Sequence, residues 1–228
     1  MRFGLQKLTL LDYPGLVACT VFSCGCNFRC PFCHNGSLVT ADDRALLPAE
    51  EVFSFLKKRT GILDGVCFTG GEPLLHAEIL DFAAQAKALG YKVKLDTNGS
   101  FPDRLAEALA SKVVDYVAMD IKNSPAKYAV TSGNEAALPL VERSVELLRS
   151  GQTAYEFRTT VTGDLHESSD FAAIGQWISG APQYFLQPFL ASEDVLDKSS
   201  DHAVSSELLD ACLAAVKPHV PNAAIRGR

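Results

Sequence analysis

One alternation, repeated along the chain, restricts its fold more than any other feature: short apolar, β-branched runs are each followed by a stretch whose apolar residues recur at helical spacing. The runs fall at 16–22, 66–69, 92–95, 113–121, 153–161 and 184–187. After the first, a helix opens at Pro48 and runs to Arg59, with Val52, Phe55 and Leu56 on one face, Glu50 and Glu51 at its start and basic residues at its end. Ile79, Phe82, Ala83, Ala86 and Leu89 stripe a second helix, and Leu105, Ala108 and Leu109 mark a third. Leu138, Val141, Val145 and Leu148, then Phe171, Ile174 and Trp177, then Leu209, Cys212, Leu213 and Val216 mark three more. Strands alternating with helices predict a parallel sheet with right-handed crossovers, either an open doubly wound sheet or a barrel. About six units are too few for the closed eight-stranded barrel. A single domain over 1–228 is expected, with the Ser- and Asp-rich segment 191–206 as a mobile surface loop.

The first run leads directly into a loop at 24–35 that holds four of the seven cysteines among Gly, Asn and Pro. Cys26, Cys30 and Cys33 follow the spacing C-x3-C-x2-C, which lets three thiolates from one short loop converge on three irons of a cubane cluster. A [4Fe-4S] cluster takes four ligands, so three cysteines leave one iron open to chemistry. The alternative is a structural zinc site in a non-catalytic interaction module. Zinc sites draw ligand pairs from two separated segments, whereas Cys19, Cys67 and Cys212 sit in apolar stretches and supply no second pair.

In parallel α/β folds the working residues lie at the C-terminal ends of strands, and the unusual polar motifs of this chain fall there. Thr69-Gly70-Gly71-Glu72-Pro73 follows the second run; its glycines permit close backbone approach to a ligand, or simply a tight turn. Asp96-Thr97-Asn98-Gly99 follows the third, where Asn-Gly alone is a turn signal. Asp120 and Lys122 end the fourth and share a face by alternation. Arg158 lies in the fifth, two residues from Glu156, its simplest partner, and Gln187 stands near the end of the sixth.

Cys26, Cys30 and Cys33, with aromatic Phe32 before the last, resemble the signature of radical S-adenosylmethionine (SAM) enzymes. The segments Leu8-Thr9-Leu10-Leu11-Asp12-Tyr13-Pro14-Gly15 and His34-Asn35 resemble glycyl-radical-enzyme activases, most closely those of anaerobic ribonucleoside-triphosphate reductase. The resemblance implies an open partial (βα)6 barrel, a [4Fe-4S] cluster on the three cysteines, SAM on its open iron, and a glycyl radical enzyme as partner. It implies that Phe32 lies against the adenine and that Gly70, Gly71 and Glu72 contact the methionyl amine. Asp96, Thr97 and Asp120 would lie near the SAM carboxylate around a monovalent cation, with Lys122 and Arg158 as further cofactor contacts. Gln187 occupies a position where pyruvate formate-lyase activases resemble one another in carrying histidine, which keeps the ribose contact and that subfamily open. Cys24 is expected to be a bystander thiol or an outer-loop packing residue, and His34 a hydrogen bonder that orders the loop, rather than ligands of iron. An electron donor such as flavodoxin or ferredoxin is implied, and a radical SAM enzyme acting on a small molecule is the remaining relative reading.

Composition narrows the setting. With 21 basic and 27 acidic residues the formal charge is −6, so the chain as a whole offers no field to attract nucleic acid. Gln6, Lys7, Asp12 and Pro14 interrupt the early apolar residues, and no apolar run reaches about 18 residues, so neither a signal peptide nor a membrane span is expected. Cysteines clustered at ligand spacing point to a reducing compartment, the cytoplasm. The chain leaves little length beyond the barrel to enclose a small substrate, so a polypeptide partner is expected to cover the open side.

Overall fold

The computed structural model describes residues 1–40 and 46–227. In chain order it contains β1 (Arg2–Thr9), β2 (Ala18–Ser23), α1 (Gly36–Val39), β3 (Leu47–Pro48), α2 (Ala49–Arg59) and β4 (Gly65–Gly70). Then come α3 (Ile79–Ala88), β5 (Lys92–Thr97), α4 (Pro102–Ala110), β6 (Tyr116–Asp120), α5 (Tyr128–Ser132) and α6 (Ala137–Ser150). The last elements are β7 (Ala154–Val161), α7 (Ser168–Trp177), β8 (Tyr184–Pro188), α8 (Ser206–Val216) and β9 (Ala223–Ile225). All strands join one sheet in the order β3-β1-β2-β4-β5-β6-β7-β8-β9, which stays open between β3 and β9. From β2 through β9 the neighbours are parallel; β1 runs antiparallel to β2, and β3 to β1. This is the open, mostly parallel α/β architecture expected, with β1, β3 and β9 added to its edges.

The registers sort the sheet into two faces. Thr20, Cys67 and Lys94 are successive neighbours, as are Asp96 and Ala118, and Asp120, Arg158 and Phe185. These residues face the concave side and make it polar. Their alternates Val21, Phe68, Leu95, Val117, Met119, Phe157 and Leu186 are 0–2% exposed and form the core under the helices. A parallel strand covered by helices on one side and a polar lumen on the other keeps a continuous apolar run only on its helix face.

The differences from expectation have local causes. β1 shows little apolar patterning because it lies outside the parallel sheet, with only the two-residue β3 on its far side: Phe3 and Thr9 are its only buried residues. The run expected at 113–121 becomes a strand only at Tyr116, since Lys112 takes a positive φ of 56° and the Asp115 carboxylate turns to accept from Val93 N at 2.9 Å. The segment expected to be a mobile loop is bonded to the cysteine loop: Leu196 N donates to Cys33 O at 3.0 Å and Asp197 N to Pro31 O at 2.9 Å. Among the described residues no helix is long and apolar enough to cross a membrane.

Phe3 is fully buried and meets Phe82 edge to face at 5.0 Å between ring centroids. Phe3→Ala should therefore cost about 3–5 kcal/mol. Equilibrium denaturation checks this, and a loss below about 1 kcal/mol would make β1 a loosely attached edge.

Candidate active site

A cleft of about 790 Å3 opens at the C-terminal ends of the parallel strands. It is lined by Cys26, Cys30 and Cys33, by Phe32, Gly70, Gly71 and Glu72, by Asp96, Thr97, Asp120 and Lys122, and by Arg158 and Gln187. The sequence motifs scattered over the chain thus meet in one place, because Arg158 projects from within β7 towards the cleft and the others end or follow parallel strands.

The cysteine loop between β2 and α1 contains no helix or strand, so its backbone groups find partners elsewhere. On one side Gly71 N donates to Ser23 O at 3.0 Å, Glu72 N to Gly25 O at 2.8 Å, and His76 Nε2 to Cys24 O at 2.6 Å. On another, Arg29 N donates to Ser132 O at 2.8 Å and Asn134 Nδ2 to Asn27 O at 3.2 Å. The segment 194–197 closes the third side, where Gly36 N also donates to Asp194 O at 2.8 Å. Cys26, Cys30 and Cys33 are free thiols. Burial pushes the Cys30 thiol up to about 12 and raises Cys26 as well, so both remain protonated until a bound cation compensates the thiolate.

Gly70 and Gly71 line the cleft and also let two stretches of backbone approach closely. A Cβ on Gly71 would lie 2.0 Å from Gly25 O, and one on Gly70, at φ 124°, would lie 2.3 Å from Ser23 O. The space that the glycines leave on this side is taken by the end of β2 and the start of the cysteine loop, and Glu72 follows directly. That residue is fully buried at the cleft floor, where its carboxylate accepts from Leu74 N at 3.0 Å, Thr97 Oγ1 at 2.8 Å and Asn98 N at 2.6 Å.

Across β5, β6 and β7 runs a chain of charges. Lys94 Nζ bonds the Asp96 carboxylate, Arg158 reaches Asp96 at 3.2 Å and Asp120 at 3.0 Å, and Lys122 Nζ donates to Asp120 at 2.9 Å. Burial alone would raise Asp120, but the Lys122 ammonium and the Arg158 guanidinium outweigh it and hold the carboxyl at about 2. Asp96 is likewise lowered, burial being outweighed by Arg158 and Lys94. Both carboxylates are thus engaged by cations of the chain, and Thr97 Oγ1 by Glu72. The monovalent cation expected among Asp96, Thr97 and Asp120 does not fit this arrangement. Arg158 also does not pair with Glu156, which instead takes a bidentate bond from Arg226 at 2.7 and 2.8 Å.

Phe32 lines the cleft beside the cysteines; its ring is 3% exposed and packs against His202 and His166, each 6.3 Å away between centroids, which fixes its position in the loop. Gln187 sits opposite Thr160 at the end of β8. Sequence reading missed Lys94, Asn98 and Arg226 in this cleft. Lys94 carried a signal, a lysine alternating with Asp96 inside an apolar strand, whereas Arg226 carried none.

Burial raises Glu72 from 4.5 to about 7, opposed by its bonds from Asn98, Thr97 and Leu74. The folded chain therefore holds this proton more tightly than the unfolded one. Its stabilising contribution is complete below 4.5 and is lost as pH rises towards about 7. Glu72→Gln, which cannot titrate, should lose less stability than wild type across that window. Thermal melting of both proteins over this pH range checks it, and parallel profiles would contradict it.

Comparison with known proteins adds relatives to this geometry. A protein of Methanocaldococcus jannaschii, provisionally described as a glycyl-radical enzyme activating enzyme, is 29% identical over 82% of this chain and 78% of its own length. The pyruvate formate-lyase-activating enzyme of Clostridium pasteurianum is 35% identical over 53% of this chain and 51% of its own. The structure of Streptococcus suis SuiB bound to precursor peptide SuiA superposes with a TM-score of 0.73 at 14% identity, covering 91% of this chain and 48% of SuiB, which supports the fold alone. The chain thus spans about half the length of the last two. Residues 20–161, from the first parallel strand through β7, match the radical SAM superfamily, which displaces the zinc-module alternative. The chain belongs to the radical SAM superfamily, whose enzymes use a [4Fe-4S] cluster and SAM.

Proposed function

We propose that this enzyme generates a glycyl radical on a partner enzyme, and that the partner is anaerobic ribonucleoside-triphosphate reductase. The observation that carries a polypeptide partner is the rim of the cleft: Leu10, Leu11 and Leu190 are 68%, 87% and 62% exposed at the mouth of the pocket that holds the three cysteines. Exposed apolar side chains converging on a reactive cleft fit a protein surface that covers it and excludes water. The N-terminal motif through Asp12-Tyr13-Pro14-Gly15 supports the reductase as that partner.

Cys26, Cys30 and Cys33 fit a cubane cluster, being free thiols on one loop at the wall of one cleft. When bound, the cluster and SAM supply the one-electron cleavage that yields methionine and a 5'-deoxyadenosyl radical, chemistry that no side chain performs. Glu72 would take the methionyl ammonium, which favours its ionised form despite burial, and Lys122 and Arg158 would face the carboxylate. Gln187, at the far wall, would meet the ribose. The chemistry so supplied would take one hydrogen atom from a glycine Cα of the partner, which would keep the radical while 5'-deoxyadenosine would carry the hydrogen away. The electron comes from a donor such as flavodoxin or ferredoxin, and the cytoplasm provides the reducing compartment.

A pyruvate formate-lyase-type partner is the second reading, favoured by the relatives of that name from Clostridium pasteurianum and Listeria monocytogenes. Mixing reduced enzyme, SAM and each candidate partner should give 5'-deoxyadenosine and a paramagnetic doublet split by the remaining glycyl α-hydrogen, in the reductase mixture. A doublet only with the lyase would replace the partner. Deoxyadenosine formed at the same rate without any protein partner, and no doublet, would replace the activase reading with a small-molecule reaction. Cys26→Ala, Cys30→Ala and Cys33→Ala should each abolish the signal and the cluster, while Cys24→Ala should keep both.

A further inference from the structure

Two hydrogen-bond donors converge on one of the candidate cluster ligands. Phe28 N lies 3.3 Å from Cys26 Sγ, and Asn98 Nδ2 lies 3.8 Å from it. The Phe28 contact is local to the loop, whereas Asn98 comes from the end of β5 and is 5% exposed. Its amide orientation is fixed by chemistry. Ser100 N, which can only donate, reaches Asn98 Oδ1 at 2.9 Å, and Ser100 Oγ reaches the same oxygen at 2.5 Å. That turns Nδ2 towards Cys26 and towards Asn27 Oδ1, 3.1 Å away.

We infer that Asn98 is a positioning residue that sets the reduction potential of the cluster through the Cys26 sulfur. This rests on the assignment of Cys26 as a ligand. A donor aimed at a thiolate ligand withdraws charge from it and stabilises the reduced cluster, so the bond raises the potential. The same residue also holds the opposite side of the site: its backbone N donates to Glu72 Oε2 at 2.6 Å. The backbone bond secures the carboxylate facing the cofactor's amine, and the side chain tunes the sulfur. Because these two contacts use different atoms of Asn98, they separate by mutation. Asn98→Ala removes the amide and keeps the backbone donor.

A hydrogen bond to a charged group is worth about 1.5 kcal/mol, about tenfold in an equilibrium constant. The bond exists in both oxidation states and only its strengthening on reduction counts, so Asn98→Ala should lower the reduced-to-oxidised ratio of the cluster at a fixed potential by up to about tenfold, a shift of up to about 59 mV towards negative values for one electron. Asn98→Asp, similar in shape but carrying a negative charge in place of the donor, should shift it further in the same direction. A redox titration of the anaerobic, cluster-loaded proteins, followed by the paramagnetic signal of the reduced cluster, reads both. If both variants load iron as wild type does and titrate at its potential, the inference is overturned. Should neither variant hold a cluster, the wild type decides: protein labelled with 15N in the asparagine side chain should show an exchangeable amide coupled to the reduced cluster, and no such coupling would overturn the inference. Failure of the ligand assignment reads differently, as a normal iron content in Cys26→Ala.

Discussion

The structure depends on one requirement: a loop without helix or strand must have its backbone polar groups satisfied, because each one left unpaired costs as much as a lost hydrogen bond. The cysteine loop meets it by taking partners from the turns after β4, β6 and β8. Gly71 and Glu72 bond its entry, Ser132 and Asn134 its middle, and the segment 194–197 its exit. The parallel sheet makes this feasible by bringing all of those turns to one end. Thiol geometry is thereby tied to the whole barrel rather than to the loop's own sequence.

The second requirement is electrostatic. The concave face carries Lys94, Asp96, Asp120, Lys122 and Arg158 within one connected set of ion pairs, with Glu156 and Arg226 beneath. Single charges placed there would be expensive to desolvate; alternating partners across neighbouring strands offset that cost. Arg226 adds a stacking contact, its guanidinium 3.5 Å from the Phe185 ring centroid, which joins the last strand to the charged interior. A zwitterionic ligand entering such a face exchanges one set of ionic contacts for another and needs no unpaired charge waiting for it.

Much of this was legible in the sequence for a physical reason. Strands backed by helices, such as β4 and β6, advertise themselves as apolar runs, and motifs at strand ends must meet once the sheet is parallel. Strands towards the sheet margins do not: β1, next to the two-residue edge strand β3, buries Phe3 and Thr9 alone, and the edge strand β9 is three residues long. Pairing partners were misread where spacing along the chain stood in for register. Arg158 meets Asp120, its cross-strand neighbour, rather than Glu156, two residues away on its own strand. The double glycine was visible, but what fills its space was not, because the neighbouring backbone of Gly25 lies in a different segment.

The central claim is a cubane held by three cysteines of one loop, with its fourth iron reserved for SAM. Mössbauer spectroscopy of protein loaded with 57Fe, recorded with and without SAM, tests it most directly. One iron in four should change its isomer shift when SAM is added, while the other three keep the values of thiolate-bound sites. A spectrum of four equivalent irons, unchanged by SAM, would contradict the account.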